Sequence, residues 1–377
     1  MMRLIVCLLF IINFSFSTEN DNGDSLVMKG VKAFYNYEFD NSIELLNEAR
    51  RIYPNHPGVH FIWSSAKYYV SQGIDPVHAT YDTLENTLDQ VEPVYERFVE
   101  LYPDNDQYKL YLGSTRGLRA RSSLGNKDWL SVLVQAYKGF SIIEEVAKEN
   151  PNLIDAQLPI GVVEYFASIS NIFIRWAANL YGLEASKDLA LRKISNAAND
   201  SKWAWIEASG IISFIYLWLE DKPHKAIPFT SRLSTEFPQN FYFNILQLES
   251  LIKTDRLMDA KILNHIMAER YQSLTKRQKD WYGPYFDYEK ALMFFYEKNY
   301  KKATTILDRA IENYSGELDI ILGNIFLLKG KVLDLQGDRN EAIVYYNKCK
   351  NLGNFSYAIQ ESKQYIRKPY SANGKDK

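Results

Sequence analysis

Two segments that lie far apart in this chain share small residues at the same offsets. Each has a glycine, a small residue twelve positions later, and another small residue seven positions after that. The residues are Gly30, Ser42 and Ala49 in the first segment and Gly330, Ala342 and Cys349 in the last. Apolar residues return every three or four positions in both segments, as on one face of an α-helix. Because paired helices approach closely only where side chains are small, the shared offsets predict one helical hairpin that is used repeatedly.

A repeat of 34 residues with Gly30 at its eighth position places small residues at positions 8, 20 and 27 and a helix-ending proline at position 32. The spacing fits the segments around Gly30, Ala291 and Gly330 well, and it fits the segment around Phe214 in part. The repeat positions assigned in this way are Gly30, Ser42, Ala49, Pro54, Ala226, Pro238, Ala291, Ala303, Ala310, Gly330, Ala342 and Cys349. They resemble the positions that define tetratricopeptide-repeat proteins, and this resemblance implies a scaffold or binding role.

Short breaks at proline, glycine or Asn-Asp pairs separate the helical segments, and alternating strand-like runs are scarce. We therefore predict an all-α protein, an α-solenoid of stacked antiparallel helix hairpins that is tetratricopeptide-like and has no sheet. Along the chain we expect a signal peptide over 1–17, a flexible N-terminus over 18–24, helical repeats over 25–155, an irregular aromatic-rich hairpin over 156–200, further repeats over 201–353, and a final helix with a loose basic tail over 354–377.

The middle of the chain carries a narrower resemblance. Residues 159–218 read PIGVVEYFASISNIFIRWAANLYGLEASKDLALRKISNAANDSKWAWIEASGIISFIYLW. An aromatic-rich helix, the stretch FIRWAANLYGL, and a helix that opens with Glu207 and Ala208 resemble a group of uncharacterised bacterial exported repeat proteins. A weaker similarity connects the segment with the eukaryotic family that contains the yeast inclusion-body clearance protein. Neither family supplies a catalytic residue, and both imply a scaffold.

The first residues have the features of an export signal. Arg3 is followed by an apolar stretch over 4–16, and Ser15 and Ser17 are small residues at the two positions that a signal peptidase reads, so we expect cleavage after Ser17. The mature chain is therefore expected in the periplasm or outside the cell. The apolar segment 158–183 contains Glu164 and Arg175, which favours a buried hairpin over a membrane span. A net charge of -2 with mixed signs gives no basic field for nucleic acid, and the sequence leaves the oligomeric state open.

No P-loop, dinucleotide loop or nucleophile elbow occurs, so neither a cofactor nor a catalytic residue is expected. His56 and His60 have the spacing of two metal ligands, but Pro57 and Gly58 stand between them and no cysteine or acid completes a set. We therefore predict solvated histidines and no metal site. Cys349 occupies a small-residue position of a repeat, which favours a buried, unreactive thiol.

A candidate partner-binding surface follows from the inner-face positions of the first helix in each repeat. In two C-terminal repeats these positions hold Tyr285, Tyr288, Leu292, Phe295, Tyr296, Asn324 and Lys331. Aromatic rings with hydroxyl groups suit an extended peptide or a helix laid in a groove. The alternative is that the next hairpin covers these rings.

The central tryptophans support two interpretations. They are Trp129, Trp176, Trp203, Trp205 and Trp218. Large rings fill the gaps of irregular hairpins, but they can also stack on sugar rings. The leading hypothesis is therefore an exported scaffold that binds a protein or peptide in the cell envelope and has no catalytic activity. The alternative is a small-molecule or oligosaccharide binder, and a third hypothesis is a hydrolase that uses an acid-base pair including Glu164.

Overall fold

The computed structural model describes residues 21–125, 129–169, 186–316 and 319–371. Within these ranges all regular secondary structure is helical and no β-strand occurs, which confirms the predicted all-α class. The predicted signal peptide and the end of the apolar segment, from residue 170 onward, lie outside the described residues. No helix in the described ranges is long and apolar enough to cross a membrane.

The chain divides into two compact units, Met2–Ile212 and Ser213–Lys377. We refer to them as the N-terminal and the C-terminal unit. The finer division predicted from the sequence stays a prediction.

The N-terminal unit is built from antiparallel hairpins in which each helix packs against the next one along the chain. Its helices are α1 Asp21–Tyr35, α2 Phe39–Ile52, α3 Val59–Ile74, α4 Val77–Leu101, α5 Asp106–Gly125, α6 Trp129–Glu149, α7 Gln157–Ile169, α8 Lys187–Asp200 and α9 Trp205–Phe214. A short 3-10 helix, Ile154–Ala156, precedes α7. The boundary between the units falls near the end of α9.

The C-terminal unit opens with a π-helical turn, Ile215–Leu219, and continues with further hairpins. Its helices are α10 Pro223–Glu236, α11 Phe241–Lys253, α12 Leu257–Ser273, α13 Lys276–Tyr296, α14 Tyr300–Glu312, α15 Ile320–Gln336, α16 Arg339–Asn351 and α17 Tyr357–Arg367. The pairs α13–α14 and α15–α16 pack as the repeat register predicts, and α17 packs on α16 as a further first helix.

The two helices of a hairpin touch at the small residues. A Cβ added to Gly30 on α1 would lie 2.8 Å from Leu46 on α2, which is closer than carbon atoms pack. The Ser42 hydroxyl donates to the Gly30 carbonyl at 2.8 Å and so satisfies its own polar group inside the contact. In the last hairpin a Cβ on Gly330 would lie 2.3 Å from the ring of Tyr346. Glycine therefore sets the helix separation in both hairpins.

The other small residues of the register are also enclosed. Those with no exposed surface are Ser42, Ala49, Ala226, Ala291, Ala303, Ala310, Ala342 and Cys349. Pro54 and Pro238 come two residues after the ends of α2 and α10. Both helices end in the same turn, in which the backbone N–H of His56 or Asn240 donates to the carbonyl three residues earlier. A proline inside this turn stops the helix and directs the chain into the next hairpin.

Candidate functional site

The residues predicted to bind a partner lie on α13 and α15, and the structure covers most of them. The buried members are Tyr285, Tyr288, Leu292, Asn324 and Lys331. Phe295 and Tyr296, at the carboxyl end of α13, stay partly exposed. The expected strip therefore does not form an open groove along its whole length, and only the end near Phe295 is accessible.

The cover comes from other first helices of the same unit. The π-helical turn contacts both α15 and α17. Lys253 on α11 donates a hydrogen bond of 3.0 Å to the hydroxyl of Tyr357 on α17, which lies 104 residues further along the chain. These helices therefore pack their inner side chains against each other, and Tyr288 is left only 1% exposed. The regular concave surface assumed for the prediction is closed here.

Two glutamates and a lysine lie at this closed centre. Glu249 on α11 and Glu289 on α13 have no exposed surface. Glu249 accepts hydrogen bonds from the indole of Trp218 and from the ammonium group of Lys253, the latter at 2.9 Å. Neither oxygen of Glu289 has a donor among the described residues. A protonated Glu289 can itself donate to Glu249, so the geometry is that of a carboxylic acid beside a carboxylate.

The charges of this cluster follow from its burial. Burial, and then the neighbouring charge of Glu249, raises the pKa of Glu289 well above its ordinary value. Burial by itself would lower the pKa of Lys253, but Glu249 and other nearby groups raise it well above the ordinary value. A lysine cation therefore faces the Glu249 carboxylate, and Asp221 lies 3.0 Å from the same ammonium group. Such directed contacts fix which helices meet, which non-directional apolar packing does not.

An extended segment of the chain itself occupies the accessible end near Phe295. After α17 ends at Arg367, the residues up to Ser371 have no regular secondary structure. Tyr370 in this segment is 8% exposed. We call the four residues that hold Tyr370 the tyrosine pocket, and they are Phe295, Lys331, Asp334 and Tyr365.

Rings and one cation surround the Tyr370 side chain. Its ring centroid lies 6.0 Å from that of Phe295 and 5.3 Å from that of Tyr365, and the two tyrosine rings meet edge to face. The Lys331 ammonium group lies 5.2 Å from the centre of the Tyr370 ring, within the range of a cation–π contact. Lys331 is also paired with Glu361 on α17. Two aromatic rings and a cation therefore surround the Tyr370 ring.

The main chain of the same segment is held at two points. The Tyr370 N–H donates to the Asp334 carboxylate at 2.7 Å, and Arg339 donates to the Ile366 carbonyl at 2.8 Å. Lys368 is extended, with φ −135 and ψ 128, as expected for a residue before proline. These contacts use backbone atoms, so they do not depend on the side chains of the segment.

Neighbouring side chains hold the Asp334 carboxylate in position for its contact with the Tyr370 N–H. Its side chain has no exposed surface, and its carboxylate accepts from Arg339 at 3.1 Å and from the Tyr346 hydroxyl at 2.8 Å. Gly337, with φ +86, ends α15 one turn later in the left-handed conformation that glycine adopts without strain. The other wall of the pocket is carried by α13, whose start is fixed by a capping box between Thr275 and Gln278.

His56 and His60 are buried, so the prediction that their side chains are solvated was wrong. His56 bonds to Asp24 on α1 at 2.8 Å, and His60 bonds to the Pro54 carbonyl at 2.7 Å. Burial lowers the pKa of His60 to about 4, so this ring is neutral. Both histidines serve the packing of the α2–α3 connection. No group of three potential metal-ligating side chains occurs among the described residues.

The tryptophans whose side chains are described belong to the core. Trp203, Trp205 and Trp218 are each 8% exposed or less, which leaves no ring face for stacking on a sugar. The side chain of Trp129 and all of Trp176 lie outside the described residues. Glu164, the residue proposed for a hydrolase, is buried on α7 and forms an ion pair of 2.6 Å with Lys193.

Cys349 lies inside the last hairpin, where its thiol donates to the Gly323 carbonyl at 3.2 Å. Burial raises the pKa of this thiol to about 11. The protonated thiol fills the space of a small apolar residue.

Sequence reasoning missed three of the residues that dominate this region, namely Glu249, Glu289 and Tyr370. A signal for the first two was present, because each is an acid inside an apolar helical segment, as in FNILQLESLI around Glu249. Tyr370 was included in a tail expected to be loose. The signal there was Pro369, which pre-forms an extended conformation next to an aromatic anchor.

Packing at the repeat positions makes this chain a tetratricopeptide-like helical repeat protein. No family model matches the sequence, and no curated protein matches it. Among solved structures it is similar to the apo form of the quorum sensor NprR from B. thuringiensis, with 14% identity over 88% of this chain and 98% of that one and a TM-score of 0.40. It is also similar to a human IFIT1 dimer with PPP-AAAA, with 11% identity over 97% and 89% of the two chains and a TM-score of 0.41.

A further similar structure is a tetratricopeptide repeat protein from Parabacteroides merdae, with 11% identity over 92% of this chain and 98% of that one and a TM-score of 0.25. All three TM-scores lie below 0.5. The fold class is therefore assigned from the helix contacts within each unit of this chain and not from these similarities.

Proposed function

We propose that this protein is an exported helical-repeat scaffold without catalytic activity that binds a protein or peptide partner in the cell envelope. The accessible end of the inner face, with the partly exposed Phe295 and Tyr296 and the largely buried Lys331, is the surface we assign to the partner. The repeat register and the predicted signal peptide support this assignment. The main observation behind it is the C-terminal segment that is bound at this surface.

The observation that carries the proposal is the way in which Tyr370 is bound. Peptide-recognition surfaces commonly hold an extended segment through its main chain and select it through a pocket for one side chain. The tyrosine pocket has both features, in the Asp334 and Arg339 contacts to the backbone and in the rings around Tyr370. This end of the C-terminal unit is therefore built to accept an extended segment.

The proposal is tested by site-specific photocrosslinking. A photoreactive phenylalanine analogue replaces the partly exposed Tyr296 in the purified full chain, which is then irradiated with envelope proteins. We expect one discrete adduct, identified by mass spectrometry. A matched probe replaces Tyr102, an aromatic residue that is 48% exposed and belongs to the N-terminal unit, and this probe should give no adduct with the same protein.

Phe295→Ala in the Tyr296 probe background supplies the second control. Loss of the Phe295 ring removes one wall of the pocket, so the adduct should disappear while the helical content stays unchanged. A chain that forms no adduct from position 296, or forms the same adduct from position 102, would refute the assignment of this surface.

A further inference from the structure

The ring of Tyr370 already occupies the tyrosine pocket. A partner can therefore enter the pocket only if this ring leaves it. The segment Ile366–Ser371 supplies the ring of Tyr370 and two backbone contacts, at the Ile366 carbonyl and the Tyr370 N–H. Arg367, Lys368 and Pro369, between these contacts, are exposed. The segment is therefore held at one aromatic ring, at two main-chain groups and at the Ile366 side chain, which packs against the core of the last hairpin, whereas its basic side chains are exposed.

We propose that Ile366–Ser371 is an autoinhibitory segment that mimics the partner, and that the partner presents an extended segment anchored by a tyrosine or phenylalanine. This inference rests on the proposed function and specifies the partner of the same surface. A partner enters the tyrosine pocket only when its own aromatic residue displaces Tyr370.

The pocket can release the segment without being left with a strained or unpaired group. When the Tyr370 N–H leaves, the Asp334 carboxylate keeps its bonds from Arg339 and Tyr346, so no buried charge loses all its partners. Lys331 keeps its ion pair with Glu361. Pro369, Tyr370 and Ser371 follow the last residue of α17 and its Lys368 cap, so their departure breaks no helical hydrogen bond. Exchange with a similar external segment is therefore possible at a modest free-energy difference.

The test uses a fluorescent peptide with the sequence of Ile366–Ser371, capped at both ends, and the full chain in two forms. In the wild-type chain the tethered segment competes at an effective concentration on the order of millimolar. The Tyr370→Ala chain keeps the backbone contacts of the segment but has lost the ring, so the tethered competitor is much weaker. For a peptide with a dissociation constant of about 100 µM, we expect affinity for the Tyr370→Ala chain to exceed that for the wild-type chain by about 10-fold.

Peptide variants and a second measurement keep the test independent of folding defects. The peptide with Tyr370→Phe should bind the Tyr370→Ala chain within about 3-fold of the parent peptide, whereas the peptide with Tyr370→Ala should not bind, because the pocket selects the ring. In the unaltered wild-type chain, an excess of unlabelled peptide should speed hydrogen–deuterium exchange in the segment 366–371 and leave α10 unchanged.

Equal peptide affinity for the two chains would overturn the proposal, and so would equal binding of the peptide that lacks the ring. A wild-type dimer that dissociates on Tyr370→Ala would also overturn it, because the segment would then bind a neighbouring copy. These results would leave the proposed function untouched. Crosslinking from position 296 would still capture a partner whose bound segment has no aromatic anchor.

Discussion

The contact between Gly330 and Tyr346 offers a stringent test of the packing argument. In Gly330→Ala the new Cβ would lie 2.3 Å from the ring of Tyr346, so the ring must move. The ring is not free to do so, because its hydroxyl donates to the buried Asp334 at 2.8 Å and it packs on Tyr365. Overpacking costs about 1–3 kcal/mol, and loss of a hydrogen bond to a charged group costs about 1.5–3 kcal/mol.

Helix propensity acts in the other direction, since alanine is about 1 kcal/mol better than glycine inside a helix. We therefore expect Gly330→Ala to lower the free energy of unfolding by about 3 kcal/mol. Urea unfolding followed by far-ultraviolet circular dichroism measures the change. In a Tyr346→Phe background the hydrogen bond is already absent, so the same substitution should cost only about 1 kcal/mol.

Gly117→Ala on α5 is the matched control, because a Cβ at Gly117 meets no atom within 4 Å. It should raise stability by about 1 kcal/mol through propensity alone. If Gly330→Ala were stabilising like this control, close helix approach at the repeat glycine would not be the reason for the residue, and the packing argument would fail.

Two further predictions concern buried titratable groups. Burial raises the pKa of Glu207 in the N-terminal unit from 4.5 to about 7. Between these two values the folded chain keeps a proton that the unfolded chain has released. The free energy of unfolding should therefore fall by about 3 kcal/mol as pH rises through this window, and then level off. Urea titrations at pH 5 and pH 7.5 should show this loss in the wild type but not in Glu207→Gln, and parallel pH profiles would contradict it. In a chain that starts at Thr18 and so lacks Cys7, a thiol reagent at pH 7.5 should modify Cys349 at least ~100-fold more slowly in the folded than in the urea-unfolded state, and similar rates would show that the thiol is accessible.

The helical hairpins could be predicted from the sequence because the contacts that define them are local. Gly30 meets Leu46 and Gly330 meets Tyr346, and in both hairpins the partners are sixteen residues apart. A short connection brings such residues together whatever the rest of the chain does. The predicted positions of the small residues therefore correspond to buried helix contacts throughout the register.

The inner surface could not be predicted in the same way, because its contacts join residues that are distant in the chain. The rule for inner-face positions assumes that every hairpin adds the same rotation. The π-helical turn Ile215–Leu219 departs from regular helix geometry and contacts α15 and α17. The hydrogen bond from Lys253 to Tyr357 then depends on the rotation accumulated over all intervening hairpins. Residues such as Tyr288 are consequently buried at positions that a regular repeat would leave open.

The prediction that His56 and His60 are solvated was wrong for a related reason. The spacing of His56 and His60 raises the question of a metal site, but burial depends on partners outside the segment. His56 bonds to Asp24, which belongs to the first helix of the preceding hairpin. His60 bonds to a backbone carbonyl at Pro54, which no side-chain pattern reveals. Sequence patterns identify side chains, whereas backbone acceptors become visible only with the fold.

The two ends of α17 have different roles, and this separation makes a displaceable segment compatible with a stable unit. At its first residue, Tyr357 accepts a hydrogen bond from Lys253 and so connects α17 to the buried acid–lysine cluster. The helix has 11 residues and is therefore about 16 Å long, and Tyr370 lies three residues beyond its last residue. A partner that removes Tyr370 breaks contacts only at the far end. The closed centre around Glu249 then keeps α17 in place, and Tyr365 stays available to form one wall of the pocket for the incoming ring.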